Sequence, residues 1–184
     1  MPRPDSMAPM AAAAPVVTIR EAVVDDVPLL HASIAAIAEA VGEAGQVIST
    51  EADLRRFGFG AQPAFQAAVA EADGAFAGMC LHFPVFSTWL GRPGVYVQDL
   101  HVGERFRGIG VGERLLAHVA LLSRRAGGTY MRLSVDEKNH RAQAFYGRLG
   151  LVWSRQERSF IAQDRAFVSL SEKAPRHRDP EERP

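Results

Sequence analysis

Six residues of this chain have the composition and spacing of an anion cradle: Arg107-Gly108-Ile109-Gly110-Val111-Gly112. They follow an apolar run, Tyr96 to Val102, that reads as a strand. They precede a segment with Leu115, Leu116, Val119 and Leu122 on one helical face. The first turn of a helix carries amides without internal partners, and its dipole end is positive. Glycines let a phosphate come close to those amides. A P-loop would need Lys followed by Ser or Thr, which is absent. A dinucleotide fingerprint would need glycine at the sixth place after Gly108 and Gly110, where Glu113 stands. The spacing that remains is Arg-x-x-Gly-x-Gly at Arg107, Gly110 and Gly112. The alternative is a tight turn that only packs a helix on a sheet.

A second group lies downstream: Asn139, Ala142, Phe145, Tyr146, Leu149 and Gly150. Asn139 is placed to cap a helix, and Gly150 to end it. A tyrosine with an ordinary pKa near 10 is a proton donor at neutral pH. Tyr146 can equally be a half-buried aromatic with a satisfied hydroxyl. The single cysteine, Cys80, sits in Met79-Cys80-Leu81 and reads as a buried structural thiol. The six histidines and one cysteine show no metal-ligand spacing, so no metal is expected.

These groups need a scaffold. The 184 residues suit one domain with a full core. Formal net charge is zero, which argues against a nucleic-acid partner. There is no run of about 18 apolar residues, so no membrane partner is expected, and cysteine poverty fits a cytoplasmic location. Residues 1–15, rich in Ala and Pro, read as a disordered leader, and 174–184 as a disordered tail. Between them the expected strands are Val16–Ile19, Phe65–Ala70, Ala75–Phe86, Tyr96–Val102, Tyr130–Val135, Leu151–Trp153 and Ala166–Leu170. Helices are expected from Asp25 to Gly42, from Thr50 to Gly58, after the glycine loop to Gly127, and from Asn139 to Gly150. Asp73-Gly74 signals a hairpin. Pro84 makes its end of the strand an edge or a bulge.

On the glycine loop, the strand Val97-Gln98-Asp99-Leu100-His101-Val102 before it and the Asn139–Gly150 element, the chain resembles the GNAT superfamily of acetyltransferases. The resemblance covers about residues 16–173. It implies an α+β sandwich: a mixed, mostly antiparallel twisted sheet of about seven strands flanked by about four helices. It implies acetyl-CoA as co-substrate, with pyrophosphate on the backbone of Arg107, Gly108, Ile109, Gly110, Val111, Gly112 and Glu113. Leu100, His101 and Val102 would meet the pantetheine arm, with a backbone amide near Leu100 polarising the acetyl carbonyl. Asn139 and Ala142 would also touch the cofactor, and Tyr146 would act as general acid on the sulfur.

Val47 to Leu54, Gly58-Phe59-Gly60, Phe86 to Gly91 and Tyr96-Val97-Gln98-Asp99 look like the diamine (spermidine/spermine-type) acetyltransferases. That likeness implies a homodimer and a small primary-amine substrate near Trp89, Gln98, Asp99 and Glu43 or Glu39. The relatives usually carry glutamate at Gln98 and often an acid at Ser87, so negative charge is missing from the presumed amine pocket. An alkyl amine of pKa about 10.4 is about one part in 10³ neutral at pH 7, a cost of roughly 4–5 kcal/mol unless something accepts its proton. Gln98 cannot. Asp99 can, although strand alternation points it away from Gln98 unless a bulge intervenes. His101 would share the Asp99 face. Two other readings stand beside this one: a non-catalytic acetyl-CoA-binding regulatory dimer, and an acetyltransferase for protein N-termini or lysines.

Overall fold

The computed structural model describes residues 14–154 and 159–174. Five strands form one sheet in the order β1-β2-β3-β4-β5: Val17–Glu21, Gln66–Ala72, Ala75–Ser87, Arg92–Val102 and Met131–Leu133. The first three pairings are antiparallel, and β4 pairs β5 in parallel. Helices are α1 (Val27–Ala40), α2 (Glu51–Phe59), α3 (Val111–Arg125), α4 (His140–Arg148) and α5 (Asp164–Ser171). Asp73 and Gly74, with φ of 49° and 77°, make the β2–β3 turn.

Strand alternation divides the core into two layers. Ala68, Ala70, Ala72, Ala77, Cys80, Val95 and Val97 meet Val111, Leu115, Leu116 and Val119 of α3. Ala67, Val69, Met79 and Leu81 meet Val27, Leu30 and Leu54 of α1 and α2. β2 is therefore buried on both sides, and its many alanines let α3 lie close to the sheet. His82, 3% exposed, faces α3, where the His118 Nε2 is buried with no hydrogen-bond partner among the described residues.

Thr50 caps α2: its Oγ1 accepts the Asp53 amide, and the Asp53 carboxylate accepts the Thr50 amide. Asp26 does not cap α1. Its carboxylate accepts both Arg20 terminal nitrogens at 2.6 and 2.9 Å and the Val23 amide at 2.8 Å. Arg20 also binds Glu71, which ties β1, β2 and the entry to α1 together.

Two expected strands are absent. Residues 151–154 are irregular, with Val152 91% and Trp153 74% exposed. Ala166–Leu170 lies inside α5. A five-residue, mostly apolar stretch fits either period, and Phe167 and Leu170 stand three apart on a helical face. The leader and tail lie almost wholly outside the described residues. Among the described residues no helix is long and apolar enough to cross a membrane.

Candidate active site at the β4–β5 fork

The β4–β5 ladder is short. It pairs Val95 with Met131, Tyr96 with Arg132 and Val97 with Leu133, then stops. At the same level β4 changes register against β3: Val97 faces His82 and Asp99 faces Leu81, so Gln98 has no partner. This is a one-residue bulge. Backbone hydrogen bonds confirm it independently. The Val95 amide donates to the Tyr130 carbonyl on the β5 side, at 3.0 Å, whereas the Gly103 amide donates to the Ala77 carbonyl on the β3 side, at 3.0 Å. An even number of residues separates the two, so in an uninterrupted strand they would face one edge.

The slip has two results. Below the bulge the α3 face of β4 carries Val95 and Val97, and above it Leu100 and Val102. Gln98 and Asp99 therefore both belong to the other face, with Tyr96 and His101, and the bulge condition on Asp99 is met. Second, alternation back from Gly103 turns the Leu100 and Val102 amides to the edge that β5 has left. Among the described residues, no strand lies opposite these donors at the fork.

The glycine loop opens beside this edge. Gly108 and Gly110 both have φ of 84°, and a Cβ on either would meet nothing within 4 Å. Both the left-handed backbone and the clear space above it suit glycine. Gly110 precedes α3, and the first amide of that end with a helical partner is Arg114, bonded to the Gly110 carbonyl. The Val111, Gly112 and Glu113 amides are left as an anion cradle. The Val111 side chain is core. The Ile109 and Glu113 side chains are exposed. Arg107 is committed inward: its Nε donates to the Val102 carbonyl at 3.1 Å, and it pairs with Glu104 at 3.3 Å.

Opposite the loop, the Asn139 side chain accepts the Ala142 amide at 3.0 Å and caps α4. Phe145, Tyr146 and Leu149 pack against the α3-side core. Burial, with Cys80 nearby, pushes the Tyr146 phenol up to about 12. Its hydroxyl makes no hydrogen bond among the described residues. Burial raises the Asp99 pKa, and among the described residues no cation pairs with its carboxyl. Cys80, in the α3-side layer, is pushed up to about 12 by burial, with the Asp99 charge adding to it, and is inert. His101 is lowered by burial and by Arg107.

The structure joins Leu100 and Val102, the Gly112 end of the glycine loop and Tyr146 on the α3 side of the fork, with Asn139 and Ala142 at the start of the same helix as Tyr146 and Gln98, Asp99 and His101 on the other face of β4. It does not bring Trp89 or Glu43 to them. Trp89, 99% exposed, is at the β3–β4 hairpin tip, and the strand from Arg92 to Asp99 alone spans roughly 24 Å. Glu43 is exposed in the turn after α1, and Glu39 is exposed on its last turn. The sequence assigns no role to Tyr96 or Ser134, which are joined by a hydrogen bond across the fork at 2.9 Å. The open cradle and the unpaired edge amides are what acetyl-CoA requires, so the residues present fit that co-substrate. Among the described residues no group of three or more His, Cys, Asp or Glu could hold a metal.

Comparison with known proteins gives the family and the fold. The chain is 35% identical to the thialysine N-epsilon-acetyltransferase of Sus scrofa, over 73% of this chain and 83% of that one. It is 34% identical to the Mus musculus protein of the same name, over 72% and 82%. The spermidine/spermine N(1)-acetyltransferase-like protein 1 of Homo sapiens matches at 26%, over 57% of this chain and 16% of that one. An integron cassette protein from the mobile metagenome of V. cholerae shares the fold, with a TM-score of 0.70 at 19% identity, over 85% of this chain and 98% of the other. The Acetyltransferase (GNAT) family model matches residues 34–151, more than half of the sequence, and the chain belongs to that family.

Proposed function

We propose that this enzyme transfers the acetyl group of acetyl-CoA directly to the primary amine of a small molecule, of the diamine or amino-acid side-chain kind. The observation that carries the reading is the reversal of β4 at Gln98, which leaves the Leu100 and Val102 amides at an unpaired edge beside the α3 cradle. When bound, acetyl-CoA supplies an activated thioester acyl group. The cradle amides of Val111, Gly112 and Glu113 would hold its pyrophosphate. The Leu100 amide would donate to the acyl oxygen, a preorganised hydrogen bond of the kind that lowers acyl-transfer barriers. The Val102 carbonyl already accepts from Arg107, so Val102 offers mainly its amide.

Tyr146 packs on the α3 face, and Asp99 belongs to the opposite face. The amine therefore approaches from the Asp99 side and the sulfur departs on the Tyr146 side. A buried carboxyl with a raised pKa is a better proton acceptor than an ordinary aspartate, and Asp99 takes that role directly or through water. A phenol near 12 would give its proton to a thiolate of pKa about 8.5 only uphill, by roughly 5 kcal/mol. Tyr146 therefore serves as a hydrogen-bond donor to the departing sulfur until charge there has built up.

The names of the relatives support an acceptor amine at the end of a side-chain-like arm. The homodimer belongs to the same reading. It is supported by Phe86, Trp89 and Leu90, which are 62%, 99% and 62% exposed on one hairpin, and sedimentation of the purified protein tests it. Thiol release from acetyl-CoA across a panel of small amines tests the activity. Bound acetyl-CoA with no release on any amine would leave a non-catalytic binding protein instead.

A further inference from the structure

One aromatic pair near the fork does no work in either core. Phe83 and Tyr96 are cross-strand partners whose rings stack at 5.1 Å with 20° between planes. Neither belongs to the α3-side or the α1-side cluster, and both are half-buried. Alternation places them on the face of Asp99: Leu81 of that face is two residues before Phe83, and Tyr96 stands just before the Val97–Gln98 slip. The Tyr96 hydroxyl donates to Ser134 Oγ at 2.9 Å, one residue beyond the last β5 ladder position. That bond crosses the fork and fixes the ring's azimuth. A stacked, anchored pair on a half-open face is preorganised apolar surface, which costs little entropy to use.

We infer that the Phe83–Tyr96 pair is the seat of the acceptor's chain and determines specificity for amines carried on an apolar arm, aliphatic or thioether, of several heavy atoms. The inference rests on the acetyltransferase reading above. The arm lies along the rings while its terminal amine reaches Asp99. Gln98, neutral and exposed at the bulge between them, adds no charge that would call for a second ammonium. Ser134 acts as a positioning residue: it touches no substrate and holds the Tyr96 ring.

The test compares pentylamine with ethylamine on the full-length protein, using Phe83→Leu, Tyr96→Leu, Tyr96→Phe and Ser134→Ala. The expected result is a fall in the ratio of kcat/KM for pentylamine over ethylamine, roughly three- to tenfold for each leucine variant, the scale of one aromatic contact. KM for acetyl-CoA should hold. Tyr96→Phe should keep most of the ratio, because the ring survives, and Ser134→Ala should lower it less than Tyr96→Leu. An unchanged ratio in folded Phe83→Leu and Tyr96→Leu proteins, or a loss expressed in the KM for acetyl-CoA, overturns the assignment. Calorimetric binding of pentylamine to the acetyl-CoA-saturated protein separates the two claims. Without turnover on any amine the enzymatic reading falls, while weaker pentylamine binding by Phe83→Leu still supports the seat, and equal binding overturns it.

Discussion

A Cβ placed on Gly112 would lie 3.2 Å from the Phe145 Cζ and 3.5 Å from the Val102 Cγ2. The start of α3, the body of α4 and the end of β4 meet at this one hydrogen-sized gap. Alanine requires the Phe145 ring to give by a few tenths of an ångström, and valine cannot be housed without moving α4. Gly112→Val should cost about 1–3 kcal/mol by overpacking. It should weaken acetyl-CoA more than it weakens the acceptor, because the displaced elements hold the cradle amides. Thermal unfolding and acetyl-CoA titration check both parts. Gly110→Ala meets no neighbour but must keep a left-handed backbone, at roughly 1 kcal/mol.

Tyr146→Phe removes a hydroxyl that has no partner among the described residues. The fold should hardly notice. Turnover should fall about 10- to 100-fold while KM for acetyl-CoA stays within about twofold, the pattern of an interaction made only as the sulfur leaves. Steady-state kinetics with one good amine is sufficient. An unchanged kcat removes Tyr146 from the chemistry.

Asp99 gives a pH signature. Its pKa is raised by burial, so the acid limb of kcat/KM should lie above the ordinary aspartate value of about 3.9. Activity should be lost as pH falls through that raised value. Asp99→Asn should abolish the limb and lower the neutral-pH rate by about 10²-fold or more. A limb that persists in Asp99→Asn would assign it to another group, with His101 the nearest on that face.

His82 predicts a pH dependence of stability. Burial, with His118 opposite, lowers its pKa from 6.5 to about 4, so the folded protein holds it neutral. The unfolded chain binds the proton more readily, so stability rises with pH across this window. It is complete above about 6.5 and is lost progressively as pH falls toward 4, by roughly 3 kcal/mol at the lower end. Urea melts at pH 5 and pH 7.5 should show the difference, and His82→Leu should shrink it. Asp26 acts at lower pH: the Arg20 guanidinium lowers its pKa, so its contribution is present above about 3.8 and fades below it.

The glycine loop, the α4 cap and the paired strands could be read in the chain because each rests on local rules: helix-start amides, a side-chain cap, alternation and turn residues. The bulge at Gln98 could not. A one-residue slip leaves no mark in composition, and it alone puts Asp99 and Gln98 on one face and turns the Leu100 and Val102 amides outward. Tyr96 and Ser134 were missed for a related reason, since their hydrogen bond joins strands separated by a whole crossover. Ala166–Leu170 was misread because five mostly apolar residues satisfy two periods. Trp89 was placed by likeness, and the geometry puts it at the far end of its hairpin.

The unpaired residue of β4 matters by the slip it carries more than by its identity. Were position 98 drawn into ordinary alternation, everything from Asp99 onward would be rotated by half a turn about the strand axis. The Asp99 carboxylate would be driven into the oily layer beneath α3, Leu100 and Val102 would be thrust toward α1, and the outward donors would turn back toward β3. Deleting residue and slip together would instead keep Val97 opposite His82 and Asp99 opposite Leu81, so the orientation of the upper strand hangs on where the supernumerary residue is parked.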